Sequence, residues 1–285
     1  MFFIIGFVIV FGSVMGGYIP HGDPAVLWQP LEFVIIFGAA LGAFVIANPK
    51  DIIIGAGKHM GRLFKSSPYH KSDYVELMTL LYSLFKLAKS KGALALEAHI
   101  ENPQDSSIFQ NYPKFLKNHE AVEFTCDTLR LITMGTENPH ELEAMMDDDI
   151  EARKHEPHAI AHAVQIMGDG MPAFGIVAAV LGVIVTMGSI SEPPEVLGGL
   201  IGAALVGTFS GILMAYGLVS PMAANLEAYA EAEFQYFECI KAGMLAYVQG
   251  YAPAVAVEFA RKKLTGHDRP TFAEVEEATA NVLPA

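Results

Sequence analysis

The sequence predicts an all-α fold: a polytopic membrane protein with four transmembrane helices in two hairpins, joined to an α-helical cytoplasmic domain. Three observations predict it. Four long apolar runs carry almost no charge; every Lys and Arg falls in two segments outside those runs; and the charged remainder repeats its apolar residues in steps of three and four. The chain has 285 residues, 52% hydrophobic and 17% charged, against roughly 25% charged in ordinary soluble domains. Its net charge of −13 excludes nucleic acid as a partner, because binding phosphates requires a basic surface. Cys126 and Cys239 lie far apart and in no metal-binding spacing, which predicts reduced, buried thiols.

The segments follow in order. Residues 1–47 form the first hairpin, with spans at about 1–19 and 31–47 and a stop at Asn48-Pro49. The first run has no Lys or Arg before it and no small-residue cleavage site, so it reads as a membrane helix and not a cleaved leader. Residues 48–170 are helical and charged. Residues 171–219 form the second hairpin, with spans at about 171–190 and 197–219, the last ended by Ser220-Pro221. Each span approaches the ~20 apolar residues that cross ~30 Å of hydrocarbon. Residues 220–285 are a helical extension and tail. Of the 18 basic residues, thirteen lie between Lys50 and Lys154 and five between Lys241 and Arg269. The short links, 20–30 and 191–196, have none, so they lie outside and both termini lie in the cytoplasm.

Within the spans, small residues recur at a spacing of four: Gly199, Ala203, Gly207 and Gly211; Gly38 and Gly42; Gly175 with Ala179; Ala178 with Gly182. Such stripes let helices approach closely in lipid, either within one chain or between chains. No Asp, Glu, Lys, Arg or His sits at mid-span. A self-sufficient proton carrier would need one, so any titrating group must come from a partner. Thr186, Thr208 and Ser210 are the polar residues left, and such hydroxyls ordinarily bond back to their own helix. Pro172 and Pro221 stand at matching depths and serve either as punctuation or as paired hinges.

Between the hairpins, helices are predicted from Tyr74 to Ala88, from Ala93 to Ile100 after a break at Gly92, from Phe115 to Met134 and from His140 to Lys154. The tail continues the fourth span to Gly250, then adds Ala254–Leu264 and Thr271–Ala280, the last with a Thr271-x-x-Glu274 capping box. Lys86, Lys89 and Lys91 form a basic patch near Glu97 and Glu101. Glu141, Glu143, Asp147, Asp148, Asp149 and Glu151 form an acidic run; both read as solvated helix faces. His155, His158 and His162 have helical ligand spacing, but Pro157 interrupts them and no fourth ligand is evident, so no metal is predicted. No nucleophile elbow, phosphate loop or dinucleotide fingerprint points to an enzyme, and no cofactor is expected.

The stretches ELEAMMDDDIE (141–151), GDGMPAFGIVAAVLGV (168–183), LVGTFSGILMAYGLVSPM (205–222) and GYAPAVAVEFARKKL (250–264) closely resemble the MotA family of flagellar motor stator proteins. VIIFGAALGAF (34–44) and ALALEAHIENP (93–103) extend the resemblance over nearly the whole chain. It implies a bacterial inner-membrane homo-pentamer surrounding two copies of MotB, whose membrane helix supplies the titrating aspartate. It also implies that ion flow turns the ring against the rotor protein FliG. The family's two prolines match Pro172 and Pro221, its rotor-facing glutamate matches Glu97, and Glu151 lies where it has a glutamate near the inner channel mouth. Its basic rotor-facing position falls on Lys89 if the spacing to Glu97 is kept, or on Lys91 if the local KS-basic pattern is aligned. Sodium-type members carry threonine seven residues after the first proline, where this chain has Ala179, whereas Thr208 is common to both types; the resemblance therefore implies protons. The alternatives are an ExbB/TolQ-like energising subunit, disfavoured by the two N-terminal spans and the EFARKKL tail, and a non-conducting scaffold.

Overall fold

The computed structural model describes residues 2–64, 67–135 and 138–282, which are helical with no β-strand. Helix α1 (Phe2–Tyr18) is apolar throughout and has no buried residue. A 3-10 turn at Pro24–Leu27 follows, opened by the Asp23 carboxylate accepting from the Ala25 N–H at 2.9 Å. Helix α2 (Pro30–Ala47) begins on proline. It ends where Asn48 turns its side-chain amide back to the Phe44 carbonyl at 2.8 Å, satisfying a terminal acceptor.

Helix α3 (Lys50–His59) leads to α4 (Lys71–Lys91), which Gly92 stops at φ +88°, a backbone region open to glycine and costly for other residues. The predicted helix 93–100 is a 3-10 turn, Ala93–Leu96, running into a single turn, α5 (Glu97–Ile100). The predicted helix 115–134 is likewise divided, into α6 (Pro113–Leu116) and α7 (His119–Thr133). Asn118 N-caps α7 by accepting from the Ala121 N–H.

One expectation is corrected here. The helices predicted at 140–154 and 171–190 are one continuous 50-residue helix, α8 (Pro139–Gly188), with Pro157 and Pro172 inside it. Pro172 therefore does not start a helix. Each internal proline loses one backbone hydrogen bond, but ending the helix at the bilayer would leave several groups unsatisfied. Past Pro221 the helix continues, as expected for the tail. Helix α9 (Pro194–Met214) passes through a wide π turn, Ala215–Val219, into α10 (Ser220–Val248). There the Ser220 N–H reaches five residues back to the Ala215 carbonyl. That widening eases the clash between proline's ring and the carbonyl one turn back. Helices α11 (Pro253–Lys263) and α12 (Phe272–Ala280) complete the chain, the latter with the predicted capping box.

Three helical stretches are long and apolar enough to cross a membrane: Pro24–Ala47, Pro139–Gly188 and Pro194–Val248; α1 is a shorter apolar helix. The chain divides into two compact units, Met1–Ser66 with His155–Ala230, and Ser67–Lys154 with Glu231–Ala285. The first has a core of Ile36, Ala40, Phe44, Ile160, Val164, Met171, Ala178, Ala215 and Val219. In it, Phe3 sets its ring edge-on to Phe64, and Val10 lies against Gly217 of the π turn. The second is built on α4, whose Leu77, Met78, Leu81, Leu84 and Phe85 are fully buried. Stacked rings join it: Phe85 with Tyr247 at 4.7 Å, and Tyr69 with Tyr236 at 4.0 Å.

Candidate functional site

In the first unit the small-residue stripes sort into two groups. A Cβ on Gly175 would lie 2.9 Å from the Gly207 carbonyl oxygen and 3.2 Å from the Gly211 Cα. One on Gly211 would lie 2.9 Å from both the Gly175 Cα and the Met171 oxygen, and one on Gly182 would lie 2.7 Å from the Ala204 Cβ. Helices α8 and α9 thus touch backbone to backbone, and no larger residue fits. By contrast, a Cβ added at Gly38, Gly42, Gly198 or Gly199 would meet nothing within 4 Å. The stripe of α9 is therefore closed at 207 and 211 and open at 199.

Ala179 and Thr208 lie along that seam. The Ala179 nitrogen is 3.2 Å from where a Gly207 Cβ would be, and the Thr208 Cα is 3.4 Å from a Gly175 Cβ. Thr186 bonds back to the Gly182 carbonyl at 2.8 Å, as expected. Thr208 and Ser210 depart from that expectation: among the described residues, neither hydroxyl has a hydrogen-bond partner. Thr208 is half-buried, and its backbone lies at the seam with its hydroxyl not tied to its own helix. Pro172 is half-buried and Pro221 exposed.

The histidine trio is drawn elsewhere: His158 pairs with Glu227 of α10. Among the described residues, no group of three His, Cys, Asp or Glu is placed to hold a metal.

In the second unit the acidic run is not a uniform solvated face. Asp149 holds Arg153 at 2.8 Å, and Asp147 holds Lys241, which is 6% exposed and also donates to Glu238 at 2.8 Å. Burial alone would lower the Lys241 pKa; the two carboxylate hydrogen bonds outweigh it and raise it. Nothing in the sequence joins Lys241 to Asp147, 94 residues away, although Glu238 one turn before a lone lysine is a weak signal. Exposed Glu151 borders a cavity of about 610 Å³, with Asp147, Asp148, Lys154, Glu231 and Lys263 among its walls. Both cysteines are free and buried, as predicted. Burial pushes the Cys126 thiol up to about 12, and the Cys239 thiol above its ordinary value too.

The predicted basic patch also divides. Lys86 is engaged within the chain, with its ammonium 3.4 Å from the Val282 carbonyl and 5.8 Å from the Tyr82 ring. Glu101 is taken by Arg130 at 2.9 Å, which also holds Asp127 at 2.7 Å. Lys89, Lys91 and Glu97 remain. All three are exposed, and among the described residues none has an ion-pair or hydrogen-bond partner. Lys89 and Lys91 close the last turn of α4, where its dipole favours cations. Glu97 opens α5 on the other side of Gly92. Lys91 also borders a cavity of about 720 Å³ together with Ser83, Tyr112 and Asn281, whereas Lys89 does not.

Residues 4–92 match the family model described as motility protein A N-terminal, and residues 116–239 match the MotA/TolQ/ExbB proton channel family. Motility protein A of Salmonella typhimurium is 44% identical over 278 residues, 97% of this chain and 94% of its own. Chemotaxis protein LafT of Vibrio parahaemolyticus is 36% identical over 96% of each chain. Among solved structures, the flagellar MotAB stator complex of Bacillus subtilis superposes with TM-score 0.70 at 28% identity, covering 90% of this chain and 92% of that one. The C. jejuni MotAB structure shares the fold with TM-score 0.76, at 21% identity and over 92% of this chain and 95% of that one.

Proposed function

Because the chain belongs to the MotA/TolQ/ExbB proton channel family, as a flagellar stator subunit of the motility protein A kind, we propose that it is the moving wall of a proton path whose titrating group is carried by MotB. The observation that carries this reading is an absence matched to a fit. The spans hold no ionisable residue at mid-depth, while α8 and α9 meet through glycine with Thr208 at their seam. A wall of this kind can line a partner's carboxylate but cannot relay a proton by itself.

In this reading α1 and α2 form one hairpin, and the apolar end of α8 with α9 forms the other, giving four spans in the bacterial inner membrane. The basic residues, confined to 50–154 and 241–269, support cytoplasmic termini. Helix α1, with 17 residues, reaches about 26 Å, slightly less than the ~30 Å core, and local thinning accommodates that. The likeness to the flagellar MotAB stator complex supports MotB as partner. Five copies around two of MotB, and FliG as the rotor contact, follow from the family resemblance.

Pro172 and the Pro221 turn act as hinges where helices leave the bilayer, and Glu151 receives protons at the cytoplasmic mouth. Lys89, with Lys91 beside it, and Glu97 form the rotor-facing charges; their lack of partners among the described residues, in a chain of net charge −13, supports that assignment. Ala179, in place of a hydroxyl, supports protons as the ion. Motility of cells relying on this stator is expected to survive removal of sodium and to stop with a protonophore. Sodium dependence would overturn the ion assignment.

A further inference from the structure

We propose that Leu94 is the apolar anchor of the rotor-facing surface, seated in an apolar pocket of the rotor protein bordered by an acidic group opposite Lys89 and a basic group opposite Glu97. The inference rests on the rotor-facing reading of those charges and adds to it the residue that makes their contact hold.

Leu94 is 69% exposed. It lies in the 3-10 turn between Gly92 and Glu97, among the charges that have no partner within the described chain. Its exposure is imposed by its neighbours. Gly92 reverses the chain at φ +88°, ψ 159°, and the Ala95 N–H closes the turn onto the Gly92 carbonyl at 3.1 Å. Leu96 and Ile100 are then driven inward, at 0% and 2% exposure. Below them His99 is hydrogen-bonded to the Ser106 hydroxyl at 2.8 Å, and Glu101 is held by Arg130. Leu94 is thus held out on a hydrogen-bonded turn whose other two large aliphatic residues are buried beneath it, which limits the ordering that binding would cost.

Exposed ion pairs are individually weak and screened by salt. Three solvated charges alone would make a poor site for transmitting force. One apolar side chain buried at their centre excludes water and strengthens each pair around it, which is how energetic anchors work in protein interfaces.

The test uses cells whose only stator chain carries Leu94→Gln or Leu94→Met, with Glu97→Lys alongside. Stall torque is read together with the membrane level of the chain and proton flux through the purified stator complex. Leu94→Gln is expected to lower torque at least threefold with level and flux unchanged, and Leu94→Met to keep more than half of it. Wild-type torque in Leu94→Gln, equal failure of Leu94→Met, or a parallel loss of flux would overturn the anchor. If Glu97→Lys lowers torque while Leu94→Gln does not, the anchor alone falls. If neither lowers it, the rotor-facing reading falls and the anchor with it.

Discussion

The two compact units use apolar residues in opposite ways. In the first, many large side chains point outward around a small core: Ile46 is 89% exposed, Leu31 76%, Val34 67% and Leu205 65%, while glycine and alanine fill the α8–α9 contact. In the second, large rings point inward: Phe85 and Phe109 are at 0%, Phe124 at 1% and Tyr236 at 2%. The difference is one of solvent. In water, burying a large apolar side chain is worth about 1.5–3 kcal/mol. In lipid that drive vanishes, and helices hold by close approach of small residues. The first unit is therefore a packing problem sensitive to added volume, and the second a burial and charge problem sensitive to lost contacts.

The sharpest break of that contrast adds volume to the seam. Gly175→Val is expected to abolish motility and lower the membrane level of the chain, because its new atoms meet backbone at 2.9 Å, where overpacking costs about 1–3 kcal/mol. Gly38→Ala, with nothing within 4 Å, is expected to leave the level of the isolated chain unchanged, as immunoblotting would show. Next comes Pro221→Ala, which gives the π turn a normal donor and is expected to reduce torque severalfold with the chain still in the membrane; unaltered torque would end the hinge assignment.

In the second unit, Lys241→Met removes the cation from Asp147 and leaves Glu238 with Lys263 alone at 3.2 Å, and is expected to cost about 1 kcal/mol, read as a lower unfolding temperature of the purified chain with proton flux through its complex with MotB retained. Its raised pKa sets the sign with pH. The stabilisation is fully present below the ordinary lysine value and is lost only as pH rises through the higher folded value. The smallest effect is at Glu274. Lys71 at 2.7 Å and the Thr271 cap hold its carboxyl at about 2 instead of the usual 4.5. This contribution is present above pH 4.5 and fades as pH falls toward 2. Glu274→Gln is expected to remove that acid step from hydrogen exchange of α12.

Much of the fold was legible in local sequence. The apolar runs gave α1 and α2 to within a residue or two, and Gly92, Asn48-Pro49 and the Thr271–Glu274 box marked real boundaries. Continuity was legible only in part: the fourth span was expected to run on past Pro221 and does, but the helix expected to end at Lys154 and the one expected to start at Pro172 are a single helix. Of the site, the residue types at Lys89, Lys91 and Glu97 were visible, but their isolation was not. That required seeing Lys86 turn to Val282 and Glu101 to Arg130. Lys241 with Asp147, His158 with Glu227, and the exposure of Leu94 depend on tertiary packing that no local pattern encodes.

The claim that the membrane helices form a wall and not a channel is tested most directly by proton flux in vesicles holding the purified chain alone, and in vesicles holding it co-assembled with an activated MotB. No flux above empty vesicles is expected for the chain alone, and protonophore-like leakage for the complex. Proton flux through the chain alone would contradict it.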